Sequence, residues 1–557
     1  MKKMKKFLSV LLAMAMVLGM SVTTFAKNIT KPQEGDTDKV TITGTSIKKD
    51  EVTFKVYQLI EPIFEEGKGF TGYQWSNIYT DKTGPVEYEE NGDVRDLTSA
   101  NITAWAAKAD RTIQDATVTW NEAGTEASIE LGVGTWMILA SAADDVNVVY
   151  NPMIASVYYT QQDSMTGGTA DADAAWKLTT TNAYEKSTDL GGQESKQVGT
   201  LDASGISSLA KASAEVGKNV PYVLKGLIPS YSAEYFNPAS SDTSQQTRTV
   251  TYKLNDSKNA GLEYNNDIKV YVGNTTTPIA EANYDVTLYK NADKTETTTN
   301  YAEAAAFSVA LKSSYIQTLT GASDAQRTVY VTYTAKVTDA AVSQVAENQF
   351  DVSYTRTPGQ PEETTDTKTV YTYTAAINGA VVKIDEKDEA LGNAIFTLYE
   401  TYENNTLSDP FTGTTGSTAT TSVKDGNDGS VDFTGLEFGK TYYLTETKAP
   451  EGYSINNTVY SVVCNYPAGF DEKGTTKLTE YSVTVTNLSD ATDTKTVTVP
   501  YGGSATAVTN HLTIKNTKLN GLPSTGGIGT TIFTVGGCAI MIAAAGLYFS
   551  LRRRTEK

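Results

Sequence analysis

Alternation with a period of two dominates the apolar positions. Val52, Phe54 and Val56 alternate with Thr53, Lys55 and Tyr57, and Val329, Val331, Tyr333, Ala335 and Val337 alternate with Tyr330, Thr332, Thr334 and Lys336. Strands with one face in a core and the other in solvent have this pattern. Lys39–Thr43 and Asn147–Tyr159 are similarly β-rich, while Asp96–Ala109 predicts a short helix with Thr98 or Ser99 as its cap. The period disappears at both ends. Met1–Ala26 carries Lys2, Lys3, Lys5 and Lys6, then the apolar run Phe7–Met20, then Thr24-Phe-Ala26. This order predicts a secretory signal peptide, with the mature chain starting near Lys27. Ile528–Leu551 is apolar over a length that spans a bilayer, and Arg552, Arg553 and Arg554 behind it hold the C-terminus in the cytoplasm.

Between these ends the chain is modular. At about 100–200 residues per domain, 557 residues allow three or four domains. All five tryptophans, Trp75, Trp105, Trp120, Trp136 and Trp176, precede residue 177, which suggests a boundary there. The expected divisions are a signal peptide over 1–26, an N-terminal domain over 27–185, a middle domain over 186–378, a third domain over 379–520 and a terminal segment over 521–557. Thr357–Glu363 reads as an exposed excursion late in the middle domain, and Phe411–Ser430 as a Gly/Thr-rich loop in the third. Short strands with frequent turns predict an all-β chain of tandem immunoglobulin-like β-sandwiches, with one C-terminal transmembrane helix.

Composition narrows the chemistry. Two cysteines, Cys464 and Cys538, and one histidine, His511, cannot assemble a Cys/His zinc site, a His-based triad or a disulfide framework within one chain. Glu87–Glu90 and Asp425–Asp428 lack EF-hand spacing and read as solvated loops, so neither a metal nor another cofactor is expected. Cys464 reads as a small buried hydrophobe and His511 as a sheet residue. The net charge is −19 for the whole chain. Processing at both ends would remove eight basic residues and one acidic residue, leaving 38 basic and 64 acidic, or −26. That surface disfavours nucleic acid and repels its own copies, so a lasting assembly calls for covalent or close apolar contacts.

Three sets of residues carry a resemblance. Leu522-Pro523-Ser524-Thr525-Gly526, followed by the apolar span and basic tail, resembles the cell-wall sorting signal of Gram-positive surface proteins. It implies that a sortase cleaves between Thr525 and Gly526 and passes the Thr525 carbonyl to an amine. The chain would then be a substrate rather than an enzyme, since Cys464 is the only thiol left after processing. Tyr442-Tyr-Leu-Thr-Glu446-Thr-Lys-Ala-Pro-Glu-Gly-Tyr453 resembles the glutamate-centred box of collagen-adhesin B-type domains in Gram-positive pilins, with Val381–Asp385 and Leu512–Asn516 as their first and last strands. This implies an isopeptide bond from Lys383 to Asn516 with Glu446 as catalyst. In the middle domain, Glu194–Val198, Asn255–Leu262 and Asn348–Tyr354 resemble the fimbrial isopeptide-forming domain, implying a bond from Lys196 to Asn348 with Asp256 as the acid.

The physical case for such a triad stands apart from the resemblance. An ammonium is no nucleophile and an amide is a poor electrophile. Burial disfavours the charged forms of the amine and the acid, and the neutral acid can polarise the carbonyl and shuttle protons as ammonia leaves. Folding supplies the proximity that a bimolecular amide exchange lacks. The two bonds would close loops of 152 and 133 residues.

The whole pattern resembles the major, shaft-forming pilins of Gram-positive sortase-assembled pili. Their acceptor lysine follows a tryptophan in a W-x3-V-x-V-Y-P-K-like motif. Trp176-Lys-Leu-Thr-Thr-Thr-Asn-Ala-Tyr184-Glu-Lys186 offers Lys186, with Glu185 in place of the proline and one extra residue of spacing; Lys177 is the fallback. The resemblance implies a structural subunit polymerised from Thr525 to Lys186, self-cross-linked without turnover and attached to the cell wall. Its partners would be pilus-specific and housekeeping sortases, other copies of the chain, the peptidoglycan cross-bridge, and minor pilins and host surface ligands. The alternative is a wall-anchored monomeric adhesin or a minor pilin using the same domains as a stalk.

Overall fold

The computed structural model describes residues 24–555, apart from 78–79, 90–93, 110–115, 162–175, 237–249, 358–360, 378, 414–415, 422–428, 503–510 and 520–527. By contact the chain divides into two units. One holds the residues up to Thr374 together with Gly469–Leu478, and the other holds Ala375–Ala468 with Thr479 onward.

The first unit contains two groups of sheets. A six-stranded sheet runs in the order Thr24–Ile29, Trp176–Thr181, Met153–Gln161, Gly134–Ala142, Val52–Glu65 and Gly69–Trp75. It packs with a four-stranded sheet containing Thr37–Thr43 and Glu126–Gly132. Val40, Ile42, Phe54, Tyr57, Ile129 and Met137 from the two sheets share one core. The first strand begins at Thr24, upstream of the expected first mature residue Lys27, and Lys27–Ile29 lies opposite Leu178, Lys177 and Trp176 in the same register. The helix spans Ser99–Lys108, and the Thr98 hydroxyl accepts from the Asn101 backbone N–H as its cap.

The second group in this unit is a sandwich. One sheet orders Gly205–Ser208, Ser195–Asp202, Asn219–Leu227, Thr328–Val337 and Leu262–Tyr264. The other orders Thr297–Thr298, Tyr284–Tyr289, Ala306–Leu311, Tyr252–Lys258, Ala346–Tyr354 and Glu363–Thr364. The alternation along Thr328–Val337 buries Val329, Val331, Tyr333, Ala335 and Val337 and leaves the intervening residues more exposed. Gly469–Leu478 packs within this unit: the Ala212 N–H donates to the Glu472 carbonyl at 2.7 Å and the Tyr371 N–H to the Gly474 carbonyl at 2.8 Å. Gly474 has φ +89°, and a Cβ there would fall 2.4 Å from the Tyr371 carbonyl oxygen, so glycine alone fits this approach.

In the second unit, a sheet orders Thr406–Pro410, Ile395–Glu403, Thr441–Lys448, Val459–Asn465, Glu480–Asn487 and Thr494–Pro500. Val381–Ile384 and Leu512–Lys515 pair separately and in parallel, with Lys383 opposite Ile514. This pairing sets the start and the end of the sandwich side by side. Leu398, Phe396, Tyr442, Leu444, Val462, Val483 and Ile514 are buried there. Ile528–Thr555 forms a helix whose Thr531–Arg554 stretch is long and apolar enough to cross a membrane, with Phe533, Ile540, Met541 and Leu547 all exposed.

Candidate functional site

The third region's site is built by strand pairing. The parallel ladder brings the Lys383 strand beside the Asn516 end of the last strand, where the Asn516 N–H donates to the Ile384 carbonyl at 3.1 Å. Glu446 enters from Thr441–Lys448, opposite Phe396 on the neighbouring strand. Lys383 Nζ donates to Asn516 Oδ1 at 2.6 Å and to Glu446 Oε2 at 3.3 Å, while Asn516 Nδ2 donates to Glu446 Oε1 at 2.9 Å. The three side chains therefore close a triangle. The backbone N–H of Asn456 fixes Glu446 Oε2 at 2.7 Å, and the Lys383 ammonium lies 5.6 Å from the centre of the Phe396 ring. The side chains of Lys383 and Glu446 have no solvent exposure, and burial pulls the Lys383 amine down to about 8 against the opposing pull of Glu446.

The middle region joins its residues across two sheets. Lys196 lies on Ser195–Asp202, whereas Asp256 and Asn348 lie on paired strands of the facing sheet. Asp256 is mid-strand rather than in a turn. Lys196 Nζ forms an ion pair with Asp256 Oδ2 and donates to the Tyr333 hydroxyl at 3.1 Å and the Gln349 carbonyl at 3.2 Å. Tyr333 donates to Asp256 Oδ2 at 2.8 Å and accepts from Asn348 Nδ2 at 2.7 Å, and Tyr264 donates to Asp256 Oδ1 at 2.7 Å. No hydrogen bond joins Lys196 to Asn348 among the described residues, and buried Asn348 Oδ1 has no partner. Tyr222 stacks on Tyr333 at 5.3 Å, and the Lys196 amine is 5.7 Å from each of these two ring centres. Burial lowers the Lys196 amine to about 8 despite Asp256, and raises the Asp256 carboxyl despite Lys196.

Tyr333, Tyr264, Tyr222 and the Asn456 backbone were not identified as site groups from sequence. The signal for Tyr333 was its inward position in an alternating strand: a phenol on the core face has to find a polar partner. A backbone donor such as that of Asn456 leaves no mark in the sequence.

Lys186 lines a cavity of about 510 Å³ with Thr43, Gly44, Asn151, Glu185, Ser230 and Arg327. It is exposed, and its carbonyl accepts from the Asn151 N–H at 2.9 Å. Glu185 turns inward beside it, accepting from the Ser46 N–H at 3.0 Å and from the Ser187 hydroxyl. A Cβ at Gly44 would fall 2.0 Å from Glu185 Oε2, so glycine leaves the space this carboxylate occupies. Lys177 is instead placed mid-sheet, between Asn28 and Thr160.

The pentapeptide Leu522–Gly526 and residues 1–23 lie outside the described residues. Cys464 is buried, which pushes its thiol up to about 12, and His511 is half-buried at the edge of the last strand. Glu87 and Glu89 bind Arg95, while Glu90 and Asp425–Asp428 lie outside the described residues. Among the described residues no group of His, Cys, Asp or Glu could hold a metal.

Residues 378–469 match the SpaA prealbumin-like fold domain family, and residues 514–557 match the LPXTG cell wall anchor motif. The chain is 24% identical to the trypsin-resistant surface T6 protein of Streptococcus pyogenes serotype M6, over 98% of this chain and 99% of that protein. Its fold is similar to that of the T6 backbone pilin of serotype M6 Streptococcus pyogenes, with a TM-score of 0.50 and 16% identity, covering 88% of this chain and 100% of that one. The full-length major pilin SpaD from Corynebacterium diphtheriae aligns over 88% of this chain and 100% of its own, with a TM-score of 0.46 and 18% identity. With an LPXTG cell wall anchor motif behind a SpaA prealbumin-like domain, and likeness to a streptococcal surface protein along nearly its entire length, the chain is a cell-wall-anchored surface protein with a pilin-type fold.

Proposed function

We propose that this chain is a pilus subunit that forms the shaft and locks itself with two internal isopeptide bonds, Lys383 to Asn516 and Lys196 to Asn348. The observation that carries the reading is that one buried carboxylate, Glu446, touches both nitrogens between which a proton must pass. Neutral Lys383 attacks Asn516 Cγ, Glu446 takes a proton from the attacking nitrogen, and the same acid protonates Nδ2 so that ammonia leaves. One C–N bond forms and one breaks, no electrons are exchanged and Glu446 is restored. The event happens once per chain, so the protein is not a turnover enzyme.

Each shaft subunit would be joined from Thr525 to Lys186 of the next copy by a pilus sortase, and the last would be passed to a peptidoglycan cross-bridge amine by a housekeeping sortase. Exposure of Lys186 at a cavity supports it as the acceptor over Lys177, whose backbone is held on both sides within a sheet. The domain divisions at 185/186 and 378/379 belong to the same proposal.

Intact mass of the mature chain tests the internal bonds: a deficit of two ammonia molecules is expected, and an unchanged mass would refute both. Wall extracts boiled in detergent and reductant test the shaft. A ladder lost in Lys186→Ala supports the proposed linkage, a ladder that persists moves the acceptor, and a single wall-linked band in the unaltered strain leaves the anchored adhesin.

A further inference from the structure

The two sites solve the same proton problem with different reach. In the third region the acid contacts the amine and the amide nitrogen directly. In the middle region Asp256 contacts the amine, but its hydrogen bonds run to Lys196, Tyr264 and Tyr333 and none runs to Asn348. The Tyr333 hydroxyl occupies the missing link: it lies 3.1 Å from Lys196 Nζ, 2.8 Å from Asp256 Oδ2 and 2.7 Å from Asn348 Nδ2. We infer that Tyr333 is a catalytic residue of the middle site, relaying the proton from the Asp256 and Lys196 pair to the departing nitrogen of Asn348. The inference rests on the proposed Lys196–Asn348 bond and adds a participant to it.

The steps balance. Neutral Lys196 attacks Asn348 Cγ, and Asp256 takes one proton from the attacking nitrogen. Tyr333 gives its hydroxyl proton to Nδ2, and Asp256 returns a proton to the Tyr333 oxygen. The net reaction is amine plus primary amide giving secondary amide plus ammonia, with Tyr333 and Asp256 unchanged. The surroundings suit the role. Tyr333 is held rigid by stacking on Tyr222 and by edge contacts with Phe307 at 5.1 Å and Tyr264 at 5.7 Å, so its hydroxyl is placed without further ordering. Bulk solvent does not reach the reacting groups, because Lys196 and Asp256 have no exposed side-chain surface and Asn348 is fully buried. Tyr264 donates to the other oxygen of Asp256 and, among the described residues, makes no hydrogen bond to Lys196 or Asn348, so it is a positioning residue.

A pulse-chase in the expression host tests the relay on the full chain. Samples are quenched in acid and denaturant, and the Lys196–Asn348 and Lys383–Asn516 cross-linked peptides are followed by mass. Tyr333→Phe keeps the ring and removes the relay. Its middle cross-link should form on the order of a hundredfold more slowly, while its third-region cross-link keeps the unaltered rate. Tyr264→Phe should slow the middle cross-link by less than about tenfold, as expected of a group that acts through Asp256. A Tyr333→Phe rate equal to that of the unaltered chain overturns the relay and leaves the bond intact, and an equal slowing in the two variants overturns it as well. Absence of the Lys196–Asn348 peptide from the unaltered chain overturns the underlying bond assignment instead, and its normal appearance in Asp256→Ala overturns the part given to Asp256 and the relay with it. Should Tyr333→Phe be rapidly degraded, 3-fluorotyrosine at position 333 preserves the shape with a more acidic phenol; a changed rate supports the relay, and an unchanged rate overturns it.

Discussion

The third-region and middle-region sites each set a lysine and an asparagine beside a carboxylic acid, glutamate in one and aspartate in the other, and differ in how the strands present them. In the third region, lysine and asparagine come from adjacent parallel strands, the asparagine carbonyl accepts from the amine, and one glutamate spans both partners. In the middle region the lysine reaches across from the opposite sheet, the shorter aspartate stops at the amine, and tyrosines make up the distance. A carboxylate one methylene longer can do alone what Asp256 is placed to do with Tyr333. The two sites therefore offer internal controls for each other.

The largest expected effect comes from removing each acid. Glu446→Ala should retain one ammonia at the third site only, and Asp256→Ala one at the middle site only, both read by intact mass and peptide mapping. A cross-link closing a loop of more than 100 residues is worth roughly 5 kcal/mol in the chain-entropy picture. Its loss should lower the melting temperature of the affected region by about 10–20 °C. A single acid variant that loses both cross-links would break the comparison, since it would make the sites interdependent.

A somewhat smaller effect separates the ion pair from the bond. Lys196→Met leaves Asp256 buried without its cation, a change that costs about 3–5 kcal/mol when one partner of a buried pair is removed. Lys196→Met with Asp256→Leu also prevents the bond but removes both charges. Chemical denaturation should therefore find the double variant more stable than the single one. The reverse order would show that the aspartate is stabilised by its two phenols alone.

The pH dependence should be alike in the two sites. Both lysines are lowered to about 8 by burial, and only the neutral amine attacks. Below that value the neutral fraction falls about tenfold per pH unit, so cross-linking measured by quenched mass should accelerate from pH 6 to 8 and flatten above. A middle site that levels off earlier than the third would sharpen the distinction by pointing to Asp256, whose carboxyl is raised by burial. The smallest effect is expected from partly exposed ion pairs. Lys253 with Glu362 in the middle region and Lys440 with Glu400 in the third should each contribute no more than about 1 kcal/mol in double-mutant cycles.

Much of this is legible in the sequence. Alternation exposes strands because successive side chains point to opposite faces, and that signal marks Val52–Tyr57 and Val329–Val337, which lie in the strands Val52–Glu65 and Thr328–Val337. The helix after Thr98 was legible because a capping hydroxyl acts locally. Lys383, Glu446 and Asn516 were legible through a long motif, and the structure brings them together over 133 positions. Tyr333 was visible as an inward residue and not as a chemical one, because its partners come from 77 positions upstream and 15 downstream. The tryptophan break near residue 177 reflects composition, whereas contact places the division of units at Thr374 and assigns Gly469–Leu478 to the first.

By itself, then, the sequence determined what short-range physics can encode: strand periodicity, the helix cap, the apolar terminal span and the residue types available to the candidate sites. Tertiary structure alone decided which donor faces which acceptor. It gave Glu446 both nitrogens, put Tyr333 between Asp256 and Asn348, and turned Glu185 into the loop beside Lys186. The reason is that hydrogen bonds and proton transfers act over about 3 Å, and such distances between residues remote in the chain exist only after the sheets have paired and packed.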